Sequence, residues 1–158
     1  MGTITVSLNA FVPKPFTPFQ WAAMDDVGLI KQKVRTVKNG LKKISNVRVH
    51  TDVPRWAHLQ ALFSRGDRRV ARLLLLAHEH DNNWAQTLKS GDINAGFYVH
   101  RRRSEAELLP WDFIDHGISK AFLWNEYQRA LGARTTKTCP MDPDNCRMCG
   151  VCGRPALK

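Results

Sequence analysis

Thr3-Ile-Thr-Val-Ser-Leu-Asn-Ala-Phe-Val-Pro-Lys-Pro-Phe-Thr-Pro-Phe-Gln-Trp21 is the stretch whose reading decides the fold. Ile4, Val6 and Leu8 alternate with Thr5, Ser7 and Asn9, the period of two that marks a strand. Strand character stops near Val12, because Pro13, Pro15 and Pro18 remove three backbone donors and fix φ at each. A stiff, extended loop carrying Phe11, Phe16, Phe19 and Trp21 is expected to follow. Strands of α/β barrels run into such loops at the rim of their sites. The other reading is a covering loop whose aromatics plug the end of a core.

Working outward, Asp25 or Asp26 offers an N-cap for a helix. Ile30, Val34, Val37, Leu41 and Ile44 recur at spacings of four and three, so that helix has one apolar face. Its other face carries Lys31, Lys33, Arg35, Lys38, Lys42 and Lys43, either to track phosphates or as a solvated outer surface. After Ser45-Asn46, a second strand alternates through Val47, Val49, Thr51 and Val53 until Pro54 ends it. Strand, helix, strand in this order is a parallel βαβ crossover. A parallel sheet normally has more than two strands and both faces covered. The rest of the chain offers no convincing third strand, so the reading is a C-terminal part of a larger sheet protein.

From Pro54 onward the pattern is helical. Trp56, Leu59, Leu62 and Phe63 share a face, with Gly66 placed as a C-terminal residue tolerant of positive φ. Asp67 can cap a further helix that buries Val70, Leu73, Leu74 and Ala77. Arg65, Arg68, Arg69 and Arg72 cluster there, either as forks for an anion or as partners of Asp67 and Glu79. His78-Glu79-His80 lacks the helical spacing of a metal pair and reads as surface. Asn82-Asn83 breaks the helix, a short turn from Trp84 to Leu88 runs to Gly91, and Asp92 can cap a segment through Phe97. Arg101, Arg102 and Arg103 follow Phe97 and Tyr98, an arrangement that suits a nucleic-acid strand or a helix C-terminus. Leu108-Leu-Pro-Trp111 is a turn with an aromatic anchor, and a last helix is expected from roughly Ile114 to Leu131.

The 158 residues can build a real core, and an apolar share of 43% is that of an ordinary globular chain. The formal charge of +10 favours an anionic partner, although surplus Lys and Arg also serve solubility. The longest apolar run, Leu73 to Ala77, is far short of a membrane span, and Met1-Gly-Thr-Ile runs into a strand without a signal-peptide pattern. A cytoplasmic setting without membrane association is expected.

All four cysteines lie together as Cys139-x6-Cys146-x2-Cys149-x2-Cys152. Thiolates so crowded repel one another unless a cation gathers them, and zinc or an iron–sulfur cluster does so. The consecutive x2 spacings are similar to a ferredoxin's cluster run, whereas structural zinc prefers two well-separated pairs. Gly150 and Gly153 free the backbone to wrap an ion, Pro140 and Pro143 stiffen the approach, and Arg147 and Arg154 favour thiolate. The alternative is a reduced or disulfide-paired tail.

Val6-Ser-Leu-Asn-Ala-Phe-Val-Pro-Lys-Pro-Phe-Thr-Pro-Phe-Gln-Trp21, Leu59-Gln-Ala-Leu-Phe-Ser-Arg-Gly-Asp-Arg-Arg-Val70, Leu109-Pro-Trp-Asp-Phe-Ile-Asp115 and the terminal cysteine run resemble the C-terminal half of radical SAM proteins that carry an N-terminal cobalamin-binding-like domain. The resemblance implies an α/β fragment: the last strands of a partial (β/α) radical-SAM-type barrel over residues 1–54, a helical extension over 55–132 and a Cys-rich metal-binding tail over 133–158. It also puts the proline loop near the mouth where S-adenosylmethionine and substrate meet, with Asn9, Phe11, Pro13, Lys14 and Thr17 facing the ligand. Asn9 would pair with a polar ligand edge and Lys14 would meet a carboxylate or phosphate. The family's Cys-x3-Cys-x2-Cys motif for the radical-generating [4Fe-4S] cluster is missing from this chain. The chain would therefore be inactive alone, with S-adenosylmethionine and that cluster, with or without cobalamin, belonging to the full-length protein. Its expected partner is the missing N-terminal barrel half or an equivalent. The competing reading is a free-standing basic, metal-stabilised module that binds RNA or another anionic ligand through Arg65, Arg68, Arg69, Arg101, Arg102 and Arg103.

Overall fold

A computed structural model describes residues 2–142, 146 and 148–152. The chain divides into two compact units: one takes the chain up to Pro13 with Ala22–Arg102, the other takes Lys14–Trp21 with the chain from Arg103 onward.

In the first unit, β1 (Ile4–Leu8) and β2 (Val47–Thr51) pair in parallel, in the register Ile4 to Val47 through Leu8 to Thr51. Between them runs α1 (Val27–Leu41), capped by Asp26, whose carboxylate accepts from Leu29 N at 3.0 Å. The βαβ unit thus forms as its periodicities dictate, with β2 ending two residues before Val53. A partial barrel does not form. Among the described residues the sheet has two strands and no more, and they do not curve into a barrel wall. The physical reason lies after Thr51. Pro54 takes the first position of α2 (Pro54–Arg65), where its missing N–H costs nothing, and every later apolar pattern repeats at helical period.

The core of this unit comes from helices. Leu62 of α2, Leu73 of α3 (Ala71–Glu79), Val99 of α5 (Ala95–Val99) and Met24 are each 2% exposed or less, and Ile30 of α1 packs with them. Asp67 accepts from Arg69 N at 2.9 Å, capping a short 3₁₀ turn, Arg68–Val70, that leads into α3. Gly66 ends α2 with φ −71°, so positive φ is not the reason for glycine here. A Cβ at this position would lie 2.4 Å from Val70 Cγ2 and 2.7 Å from Leu62 O; the close approach demands glycine. Asp81 and Asn82, with φ 50° and 61°, turn the chain from α3 into α4 (Trp84–Ser90). The cap of α5 is Asn94 rather than Asp92.

In the second unit the proline loop is not extended throughout. Phe16 adopts φ 60°, and Pro18–Trp21 coil into a 3₁₀ turn. Gln20, buried, holds the turn: its Oε1 accepts from Phe16 N at 3.1 Å and from Trp111 Nε1 at 2.7 Å. Trp21 packs edge-on against Trp124 (centroids 5.0 Å) and beside Tyr127, both on α6 (Lys120–Leu131). Of the loop's aromatics Trp21 therefore plugs a core, whereas Phe11 and Phe19 remain exposed. The last helix begins at Lys120, not near Ile114, because Gly117 at φ 91° breaks the backbone and Ser119 supplies the cap to Phe122 N. Among the described residues no helix is long and apolar enough to cross a membrane.

Candidate functional site

The cysteines belong to the second unit. None of the four is in a disulfide. Cys146 is buried, Cys149 and Cys152 are half-buried and Cys139 is exposed. The run is tied to the start of α6: Ser119 N donates to Cys149 O at 2.8 Å, and Gly150 turns at φ 89° with Ser119 against its α-carbon. Cys146 N donates to Asp142 O at 2.9 Å. Burial pushes the Cys152 thiol up, and the neighbouring thiols of Cys146, Cys149 and Cys139 add to the shift. Among the described residues no set of three or more His, Cys, Asp or Glu side chains has converged to metal-ligand geometry. Pro143, Arg147, Gly153 and Arg154 lie outside the described residues.

The five loop residues divide between the units. Asn9, Phe11 and Pro13 fall in the first. Asn9 lines a crevice of about 640 Å³ beyond the C-terminal ends of β1 and β2, together with His50, Asp52, Trp56 and Gln60. Its amide, turned with nitrogen toward the acceptors, donates to Asp52 Oδ2 at 3.1 Å and Leu8 O at 3.3 Å. Parallel sheets place ligands at this end of their strands. The register that sets Leu8 opposite Thr51 carries Asn9 to Asp52, so reading the two strands together, rather than singly, would have found Asp52 and His50. Phe11 is 53% exposed, and Pro13 is buried. Lys14 and Thr17, in the second unit, are half-buried, and Thr17 Oγ1 donates to Lys14 O at 2.9 Å. Partial burial lowers the Lys14 ammonium pKa.

The arginines do not present one anion-binding face. Arg65 is buried, and its guanidinium donates to Tyr98 O and Arg101 O, each at 2.7 Å, and to Ala22 O. Arg69 forms a fork with Asp67 at 3.0 and 2.6 Å, holding that carboxyl down at about 2. Arg101 lies over the Phe97 ring at 4.6 Å. Arg103 is buried over Trp111 at 5.0 Å, with Glu107 at 4.0 Å. Arg68 and Arg102 are exposed. Arg72 meets Asp92, at 3.4 Å. A sequence cannot distinguish a buried arginine bonded to carbonyls from a surface one, since both read as charge.

Comparison of the chain with family models, with curated proteins and with solved structures finds no match, so the radical SAM resemblance rests on the quoted residues alone.

Proposed function

We propose that this chain is a cysteine-based metal module, an iron–sulfur cluster or zinc being held by Cys139, Cys146, Cys149 and Cys152, that serves a radical SAM enzyme without generating the radical itself. What supports the reading is the spacing of all four cysteines within fourteen residues, with the hydrogen bond from Ser119 N to Cys149 O holding the run at the start of α6. Binding would draw the four cysteines together and would require the thiols to lose their protons. A bound cluster would supply electron transfer or structural stability, and zinc structural stability alone. The chain's own part is to hold the loop: Ser119 fixes Cys149, Asp142 fixes Cys146, and Gly150 takes the turn that other residues resist.

Anaerobic purification with metal analysis and visible absorption tests this. A brown protein containing iron and sulfide identifies the cluster, and a colourless one with one equivalent of zinc the structural site. A folded protein carrying neither, with four freely titratable thiols, overturns the reading.

A second reading, an RNA-binding module, is favoured by the exposed basic face of α1, where Lys31, Lys33, Arg35, Lys38, Lys42 and Lys43 all reach solvent. Affinity falling steeply with ionic strength would support it, and absence of RNA binding at low salt would remove it.

A further inference from the structure

A cavity of about 400 Å³ opens in the first unit between α2 and the stretch from Asn82 to Leu88. Its size lies within the range of small-ligand sites. Two of the chain's five tryptophans, Trp56 and Trp84, line it, with Arg55 and His58. Trp56 is 48% exposed, an unusual position for a side chain with so much apolar area to bury. Trp84 is steadied from behind by Phe63, edge-on with ring centroids 5.6 Å apart. The Arg55 guanidinium stands 5.1 Å from the Trp56 ring. His58 Nδ1 is buried and has no hydrogen-bond partner among the described residues, although His100, 5.2 Å away between centroids, satisfies its own Nδ1 on Met24 O. The His58 Nδ1 has almost no solvent-accessible surface and does not open onto the cavity.

These features select among ligands. A purely apolar ligand would make no use of the Arg55 guanidinium. An inorganic anion would make no use of two indoles. A flat heteroaromatic ring with polar edges and an attached anion uses all four side chains, and a chain of charge +10 attracts anions. We propose that the cavity binds a nucleotide, its base against the indoles of Trp56 and Trp84, a base edge facing the His58 ring and its phosphate met by Arg55. A free nucleotide and an unpaired nucleotide of a single strand share this chemistry. Base–aromatic stacking tolerates every base, so the site discriminates weakly among them. The inference does not rest on the metal reading, and the protein with all four cysteines changed to serine binds equally well.

Isothermal titration of the full chain with adenosine 5′-monophosphate, with a single-stranded oligoadenylate of about eight nucleotides, and with inorganic phosphate tests it. Saturable binding of the nucleotide, tighter than that of phosphate, is expected. Trp84→Leu and Trp56→Leu should each weaken it about fivefold or more. Trp56→Phe keeps a stacking ring at a half-exposed position and should retain most of the affinity, which separates lost stacking from misfolding. Arg55→Gln should weaken the monophosphate more than adenosine. An oligonucleotide binding tenfold tighter than the monophosphate assigns the site to a strand, and equal affinities assign it to a free nucleotide. The proposal is overturned if neither probe saturates at millimolar concentration, if phosphate binds as tightly as the nucleotide, or if folded tryptophan variants bind like the parent.

Discussion

Arg65→Met is the substitution that most directly probes how the first unit is held together. The Arg65 side chain is fully buried and joins α2 to two other backbone segments, through Ala22 O and through Tyr98 O and Arg101 O. Hydrogen bonds from a charged donor contribute about 1.5–3 kcal/mol each, which for three gives an upper figure of roughly 5–9 kcal/mol. Removing the charge also removes its desolvation penalty, and methionine refills much of the volume, so the net loss is about 3–5 kcal/mol. A protein stable by about 5–15 kcal/mol would then lose a large part of its margin. The melting temperature should fall by about 10 °C or more, measured by far-ultraviolet circular dichroism alongside urea titration. Arg65→Lys keeps the charge but not the planar fork, and should fall between parent and methionine variant. Arg102→Met, at an exposed position, should change stability by no more than about 0.5 kcal/mol. If Arg65→Met costs less than about 1 kcal/mol, the guanidinium is not what ties these segments and the reasoning fails.

Asp67 gives a pH prediction. Its carboxyl titrates at about 2, below the ordinary 3.8, chiefly through the hydrogen bonds from Arg69. The contribution is therefore complete above about pH 4 and disappears as pH falls toward 2; screening by water reduces it to about 1 kcal/mol. Asp67→Asn should flatten the acid limb of the stability curve, and an unchanged limb would contradict the assignment. Gly66→Ala should destabilise by about 1–3 kcal/mol in urea unfolding, since Leu62 O cannot move from the new Cβ without disturbing α2. Cys146→Ser should abolish stoichiometric metal and leave the protein melting where the chelator-treated parent melts; coincident melting of metal-loaded parent and variant would refute the site.

The local grammar of the chain was largely legible. Alternation in Ile4 to Leu8 and Val47 to Thr51, the Asp26 cap and the Pro54 start all lead to the elements observed, because each depends on neighbours in sequence. What failed was extrapolation from those elements to a barrel, which depends on strands that would have to meet over long distances. Gly66 illustrates a finer miss: the position was right and the cause was not, since packing against Val70 leaves no trace in a sequence window. Gln20 illustrates another, its amide oxygen tying Phe16 to Trp111 across about ninety residues. At the cysteines, clustering was visible because the ligands are close in sequence. The crevice of Asn9 and Asp52 needed the register of two strands, and the cavity of Trp56 and Trp84 needed the approach of two helices.

The parallel pairing of β1 with β2 also sets an order of events in folding. Bringing Leu8 to Thr51 closes a loop of about forty residues, an entropic cost of roughly 3 kcal/mol that must be met before any ladder hydrogen bond forms. The return is small, because the ladder is five residues long and Ile4 remains 64% exposed. Helices α2, α3 and α5, by contrast, bury Leu62, Leu73 and Val99 almost completely. The helical cluster is therefore expected to condense first, with the strands joining it last and opening first. Amide protons of Val6 and Val49 should exchange with solvent well ahead of those of Leu62 and Leu73. On that expectation the crevice of Asn9 and Asp52 opens with the strands and can re-form around whatever comes to lie beside it.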